Sequence, residues 1–141
     1  MAAPKRHQAP FLDTNVFLRH LLQDNPQQSP RCTAFFARVE EGAVAVRISE
    51  AVIFEVVFVM ERRHKHAKSS IRNAFLPLIE LPGVVMPGKR LFREAFDSYV
   101  DLNISFIDAY HAALMRGLGT TQVLSFDTDF DRVLGVERIE P

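Results

Sequence analysis

Short apolar runs alternate along this chain with longer stretches of helical apolar spacing, and that alternation leaves few folds open. Runs at 9–12, 44–48, 84–86, 122–125 and 136–139 read as five strands, each short and bounded by turn residues or by a change of period. Between them, helical spacing runs over 16–22, 29–41, 49–63, 69–81, 89–100 and 107–118. Strands that lead into helices must return over a face of the sheet, so the expected fold is α/β with a parallel sheet covered by helices on both faces. The chain has 141 residues, 48% of them apolar, which is enough for one buried core and too little for two ordinary domains. A single domain is expected.

Turn chemistry marks the boundaries. Asp24-Asn25-Pro26 ends the first helix, Ser29 and Pro30 supply the cap and first turn of the second, and Gly42 closes it. Ser49 can cap the third helix and Ser69 or Ser70 the fourth, which Pro82-Gly83 ends. Seventeen basic and seventeen acidic residues cancel, so any nucleic-acid contact must rest on local patches rather than on a global field. The single cysteine, Cys32, excludes an internal disulfide framework and a cysteine-based zinc site. The first residues are polar and basic with no apolar core behind them, and the longest apolar run, 51–60, contains Glu55 and falls short of a bilayer span. A soluble, cytoplasmic protein without membrane contact is expected.

Four acids stand where they could do chemistry. Asp13 lies at the carboxyl end of the first strand, which is where open α/β sheets bind ligands, although a plain N-cap for the following helix would also explain it. At about 100° per residue, Glu55 sits roughly 140° away from Glu50 on its helix, among Ala51, Val52, Phe58 and Val59. That setting predicts a carboxylate buried in an apolar stripe beside a metal; the alternative is a glutamate that snorkels out from the helix side. Ser105 and Asp108 fit a capping box, a role that can coexist with ligation, while His111 lacks a partner histidine at ligand spacing and reads as structural. In Asp127-Thr128-Asp129-Phe130-Asp131 the aspartates alternate as in a calcium loop. Arg132 fills the required glycine position and Arg138 that of the bidentate glutamate, so an EF-hand is rejected. Asp127, first past the strand, is best placed to face the crevice, with Asp129 and Asp131 as turn residues or solvated charges.

Taken together, Phe11-Leu12-Asp13-Thr14-Asn15, Ser49 with Glu55 in an apolar helix, Ser105-Phe106-Ile107-Asp108-Ala109 and Leu124-Ser125-Phe126-Asp127 resemble the PIN-domain ribonucleases, especially toxins of the VapC type. Order, spacing and the closing Phe130-Asp131-Arg132-Val133 agree from Pro10 to the end, which leaves 1–9 as an amino-terminal extension to a domain at 10–141. The resemblance implies a three-layer α/β/α sandwich with a central parallel sheet in the order 3-2-1-4-5. It carries the metal-site acids over onto Asp13, Glu55, Asp108 and Asp127, with Asn15 and Ser125 as supporting polar residues. It implies one or two Mg²⁺ or Mn²⁺ ions, RNA as substrate with a 5′-phosphate and 3′-hydroxyl as products, a homodimer, and a small antitoxin partner.

Four clustered carboxylates would repel one another without a cation, whereas hard divalent ions accept oxygen ligands of this kind. Arg62, Arg63, Lys65, Lys68 and Arg72, with His64 and His66 among them, form the densest basic cluster and could bind phosphates; Lys89, Arg90 and Arg93 form a second. Two other functions compete. An aspartyl-phosphate phosphatase would also place Asp13 after the first strand but wants a second aspartate where Asn15 stands. A catalytically silent RNA-binding or protein-binding module of the same fold would be marked by loss of acids, and here all four are present.

Overall fold

Backbone pairing begins at Phe11 in the computed structural model, which describes residues 8–141. The expected amino-terminal extension therefore lies largely outside the described residues. The chain divides into two compact units, one ending at Lys89 and the other running from Arg90 to Pro141.

In the first unit, Arg47 donates its N–H to Pro10 and accepts from Leu12, both at 2.8 Å. The expected first strand is thus one parallel bridge, between Phe11 and Arg47, because Asp13 already caps the helix that follows. β1 (Val46–Arg47) runs parallel to β2 (Val84–Val85), with Val46 opposite Val84. α1 (Thr14–Leu22) precedes α2 (Ser29–Glu40). Ser29 is helical rather than capping: it is buried and its Oγ accepts from Asn25 N at 3.2 Å. The turn is made by Asn25, whose Oδ1 accepts from the backbone of Gln27 and Gln28 at 3.0 and 2.8 Å.

α3 (Glu50–Phe58) continues as a π turn over Val59–Arg63, closed by His64 N donating to Val59 O at 3.2 Å. α4 (Lys68–Ile79) starts after Ala67, so neither Ser69 nor Ser70 is its cap. The core gathers around Phe17, whose ring lies 5.0 Å from Phe36 and 5.1 Å from Phe75. Ile53, Val56, Ile71 and Ile79 close it, each contributing about 1.5–3 kcal/mol through burial. Gly83 is obligatory for close approach: a Cβ there would meet Val39 Cγ1 at 2.9 Å and Val44 O at 3.0 Å. Lys89 donates to the carbonyls of Ile79, Leu81 and Val84 at 3.2, 2.8 and 2.7 Å, which removes it from the expected second basic group and makes it a clamp on the end of α4.

The second unit is α5 (Leu91–Asp101), α6 (Phe106–Leu118), β3 (Gln122–Leu124), a 3-10 turn (Thr128–Arg132) and β4 (Glu137–Ile139). β3 and β4 are parallel, with Leu124 opposite Ile139. Aromatic rings fill this core: Phe92 stacks on Tyr110 at 5.2 Å, Phe96 lies 4.7 Å from Phe106, and Tyr99 meets Phe106 edge-on at 5.3 Å. Leu124 and Phe126 remain 70% and 72% exposed, whereas a strand covered on both faces would bury them.

Candidate functional site

The predicted acids fall into two groups, one on each unit. In the first, Asp13 turns from extended backbone into α1 and its Oδ1 accepts from Thr14 N at 2.8 Å. The hydroxyl of buried Thr14 in turn donates to Glu55 Oε2 at 2.8 Å. One threonine thereby ties the strand-end aspartate to the glutamate of α3. The predicted burial of Glu55 does not hold. Val52, Ile53, Val56, Val57 and Met60 form the interior stripe, and Glu55 stands on the exposed side, hydrogen-bonded to Thr14. Asn15 is exposed and lines a cavity of about 460 Å³ with Leu12, Val16, Arg19 and Phe35 among its walls.

The second group is a chain of turns that ends in a carboxylate cluster. Ser105 caps α6, its Oγ accepting from Asp108 N at 3.2 Å, as the capping box predicts. The return arm of that box comes from elsewhere: Ser105 N donates to Asp129 Oδ2 at 3.0 Å. Asp129 N donates to Asp127 Oδ1 at 2.9 Å, and Asp127 N donates to Ser125 Oγ at 2.9 Å. Each of these backbone amides is satisfied by a side chain of the group, locally for Asp127 and Asp129 and across 24 residues for Ser105. The hydroxyl of Ser125 thereby fixes the turn that carries Asp127. Asp108, Asp127 and Asp129 each bring a carboxylate oxygen within 4.8 Å of the other two.

Asp129 makes the return arm, and the carboxyl of Asp108 stays inside the protein, where its Oδ2 is buried and has no hydrogen-bond partner. Burial, the hydrogen bond shared with Asp127 and the neighbouring charges push Asp108 up to about 6. The same shared hydrogen bond, together with the amide of Asp129, holds Asp127 below the ordinary carboxylate range. The two neighbouring carboxyls therefore titrate apart, Asp108 keeping its proton to higher pH than Asp127. An orphaned buried oxygen in a hard, all-oxygen donor set fits a divalent cation, which would satisfy Asp108 Oδ2 and replace that proton.

Asp131 lies outside the cluster, paired with Arg138 Nε at 2.9 Å, while Arg138 also holds Glu140 at 2.9 Å and Ser125 O at 3.1 Å. His111 is exposed and is not among the clustered groups. Arg62 and Arg63 are exposed on the π turn and Lys65 just beyond it, whereas Lys68 and Arg72 are half-buried on α4. Reasoning from sequence missed Thr14, hidden inside the Asp-Thr-Asn motif, and ranked Asp129 as a turn residue. Its place two residues after Asp127, at the head of a 3-10 turn, was the available signal.

Carboxylates gathered after a parallel strand and at a helix start, with oxygen as the only donor, mark an α/β protein whose acidic cluster could hold a divalent cation. The chain belongs to the PIN-domain family, whose model matches residues 11–135 and so spans both units. It is similar to the VapC ribonuclease of Aquifex aeolicus (strain VF5), with 26% identity over 133 residues, covering 93% of this chain and 96% of that protein.

Proposed function

We propose that this protein is a metal-dependent ribonuclease that hydrolyses RNA phosphodiester bonds, the toxin of a VapC-type pair whose partner is a small antitoxin. The observation that carries the reading is the orphaned Asp108 Oδ2 within a three-aspartate cluster of a PIN-family chain. Asp13, Glu55, Asp108 and Asp127 are its acids, joined by Asp129, with Asn15 and Ser125 in support. The observed pairings, Phe11–Arg47 and β1–β2 in one unit and β3–β4 in the other, are compatible with a single domain at 10–141 whose sheet runs 3-2-1-4-5. The protein acts in the cytoplasm as a homodimer. No helix of the described residues is long and apolar enough to cross a membrane.

When bound, Mg²⁺ or Mn²⁺ supplies an activated water and neutralises charge at phosphorus. The chain's own part is to hold oxygen ligands still. In the first unit Thr14 orients Glu55 and Asp13; in the second, the amides of Ser105 and Asp129 hold the carboxylates of Asp129 and Asp127, and Ser125 Oγ holds the Asp127 amide. Exposed bases meet the phosphates. The silent-module reading is weaker because the acids are intact, and the phosphatase reading because Asn15 occupies the position of its second aspartate. The deciding experiment is cleavage of RNA by purified protein with Mn²⁺, with Mg²⁺ and with EDTA. Metal-restored cleavage is expected, and cleavage that survives the chelator would remove this mechanism.

A further inference from the structure

The open face of α3 carries an aromatic ring between an acid and a group of bases. Glu55, Phe58 and Arg62 stand three and then four residues apart, a spacing that lines side chains along one side of a helix. All three are exposed, and Phe58 leaves 56% of its surface open. The interior stripe of α3 is complete without it, so core packing does not call for a phenylalanine there. Beyond it, His64 N bonds Val59 O at 3.2 Å and His66 N bonds Met60 O at 3.0 Å. The turn so formed lines a cavity of about 370 Å³ with Glu61, Arg62, Lys65 and His66. Arg62 makes only a loose 3.7 Å contact with Glu61. Charges balance over the whole chain, yet 62–68 holds four lysines and arginines, two histidines and no acid.

We propose that this face is a track for single-stranded RNA, with a base stacked on Phe58 and an adjacent phosphate held by Arg62, Lys65 and His66. The proposal rests on the ribonuclease reading and adds the side chains that guide the strand. An anion alone would account for the bases. A strand whose phosphates alternate with flat π faces accounts for the exposed ring among them as well, and paired RNA offers no such open face. Glu55 and Arg62 lie about 10 Å apart along the helix at 1.5 Å per residue, so a strand that reaches the acid passes the ring and the bases within a few nucleotides.

The test is binding of a labelled oligouridine, and of the same strand carrying abasic nucleotides, to the full chain in EDTA. Phe58→Ala should weaken the intact strand about ten-fold and leave the abasic strand unchanged, while Phe58→Tyr binds like wild type. Arg62→Gln with Lys65→Gln should weaken both strands alike and reduce the salt slope by about one per charge removed. Melting temperatures should hold, since these side chains are exposed. Unchanged affinity in Phe58→Ala, or equal loss for both strands, overturns the track. So does a change of oligomeric state on sedimentation with RNA affinity intact, which would assign the face to a second copy. The two readings separate in Mn²⁺. Binding through Phe58 without any cleavage would remove the ribonuclease and keep the track; cleavage with an unchanged KM in Phe58→Ala would do the reverse.

Discussion

The two units hold their acids by opposite means. In the first, Asp13 and Glu55 are exposed, and each carboxylate accepts a hydrogen bond from Thr14. In the second, Asp108 is buried, one of its oxygens is unpartnered, and burial with the neighbouring Asp127 pushes it up to about 6. The first group is prepared and relaxed; the second is prepared at a cost in free energy that a divalent ion would relieve. The electrostatic demand for a cation within the second unit therefore resides in α6 and the 3-10 turn.

The sharpest way to break this comparison is through activity. Asp108→Asn or Asp127→Asn should lower RNA turnover by more than about 100-fold, since even outer partners of a metal are worth about 10–100-fold, while Asp131→Asn stays within a few-fold because its partner is Arg138. Equal losses in Asp127→Asn and Asp131→Asn, measured on protein free of contaminating nuclease, would dissolve the assigned cluster.

Stability against pH gives the next largest effect. The folded pKa of Asp108, about 6, lies above its unfolded value of about 3.9, so the protonated form is the favoured one. Its contribution to stability is fully present below about pH 4 and is lost as pH rises through 6. In EDTA at pH 7, Asp108→Asn should melt several degrees above wild type, a gain on the order of 2 kcal/mol, and the gain should vanish near pH 4. Mn²⁺ should stabilise wild type more at pH 7 than at pH 5, and the mutant less than wild type. Glu55→Gln should change chelated stability by less than about 0.5 kcal/mol, because an exposed carboxylate has no strain to release. A Glu55→Gln gain as large as that of Asp108→Asn would erase the contrast between the units.

Smaller effects sharpen it. Thr14→Val keeps the buried volume and removes the hydroxyl that meets Glu55, which should cost about 1 kcal/mol of stability and lower turnover, with Thr14→Ser close to wild type. Normal turnover in Thr14→Val would mean that Glu55 needs no support. Ser105→Ala removes the α6 cap and should cost about 1 kcal/mol at any metal concentration. A cost that appeared only with Mn²⁺ would make Ser105 part of the metal site instead.

Alternating periods, turn residues and caps were readable in the chain because they depend on neighbours a few residues apart. Asp13 as helix cap, Ser105 paired with Asp108, and Asp127 directly past a strand all follow from such local rules. So does family membership, since the spaced acids are themselves sequence. Tertiary structure decided what depends on distant partners. Helical angles alone placed Glu55 among apolar neighbours, but which side of α3 faces the core is set by the elements packed on it, and Val52, Ile53 and Val56 won that side. The return arm to Ser105 came from Asp129, 24 residues away, while Asp108 Oδ2 is left buried and unpartnered. The first strand shrank to one bridge for a similar reason: pairing length is fixed by where both strands can meet, and Asp13 had already turned the chain into a helix.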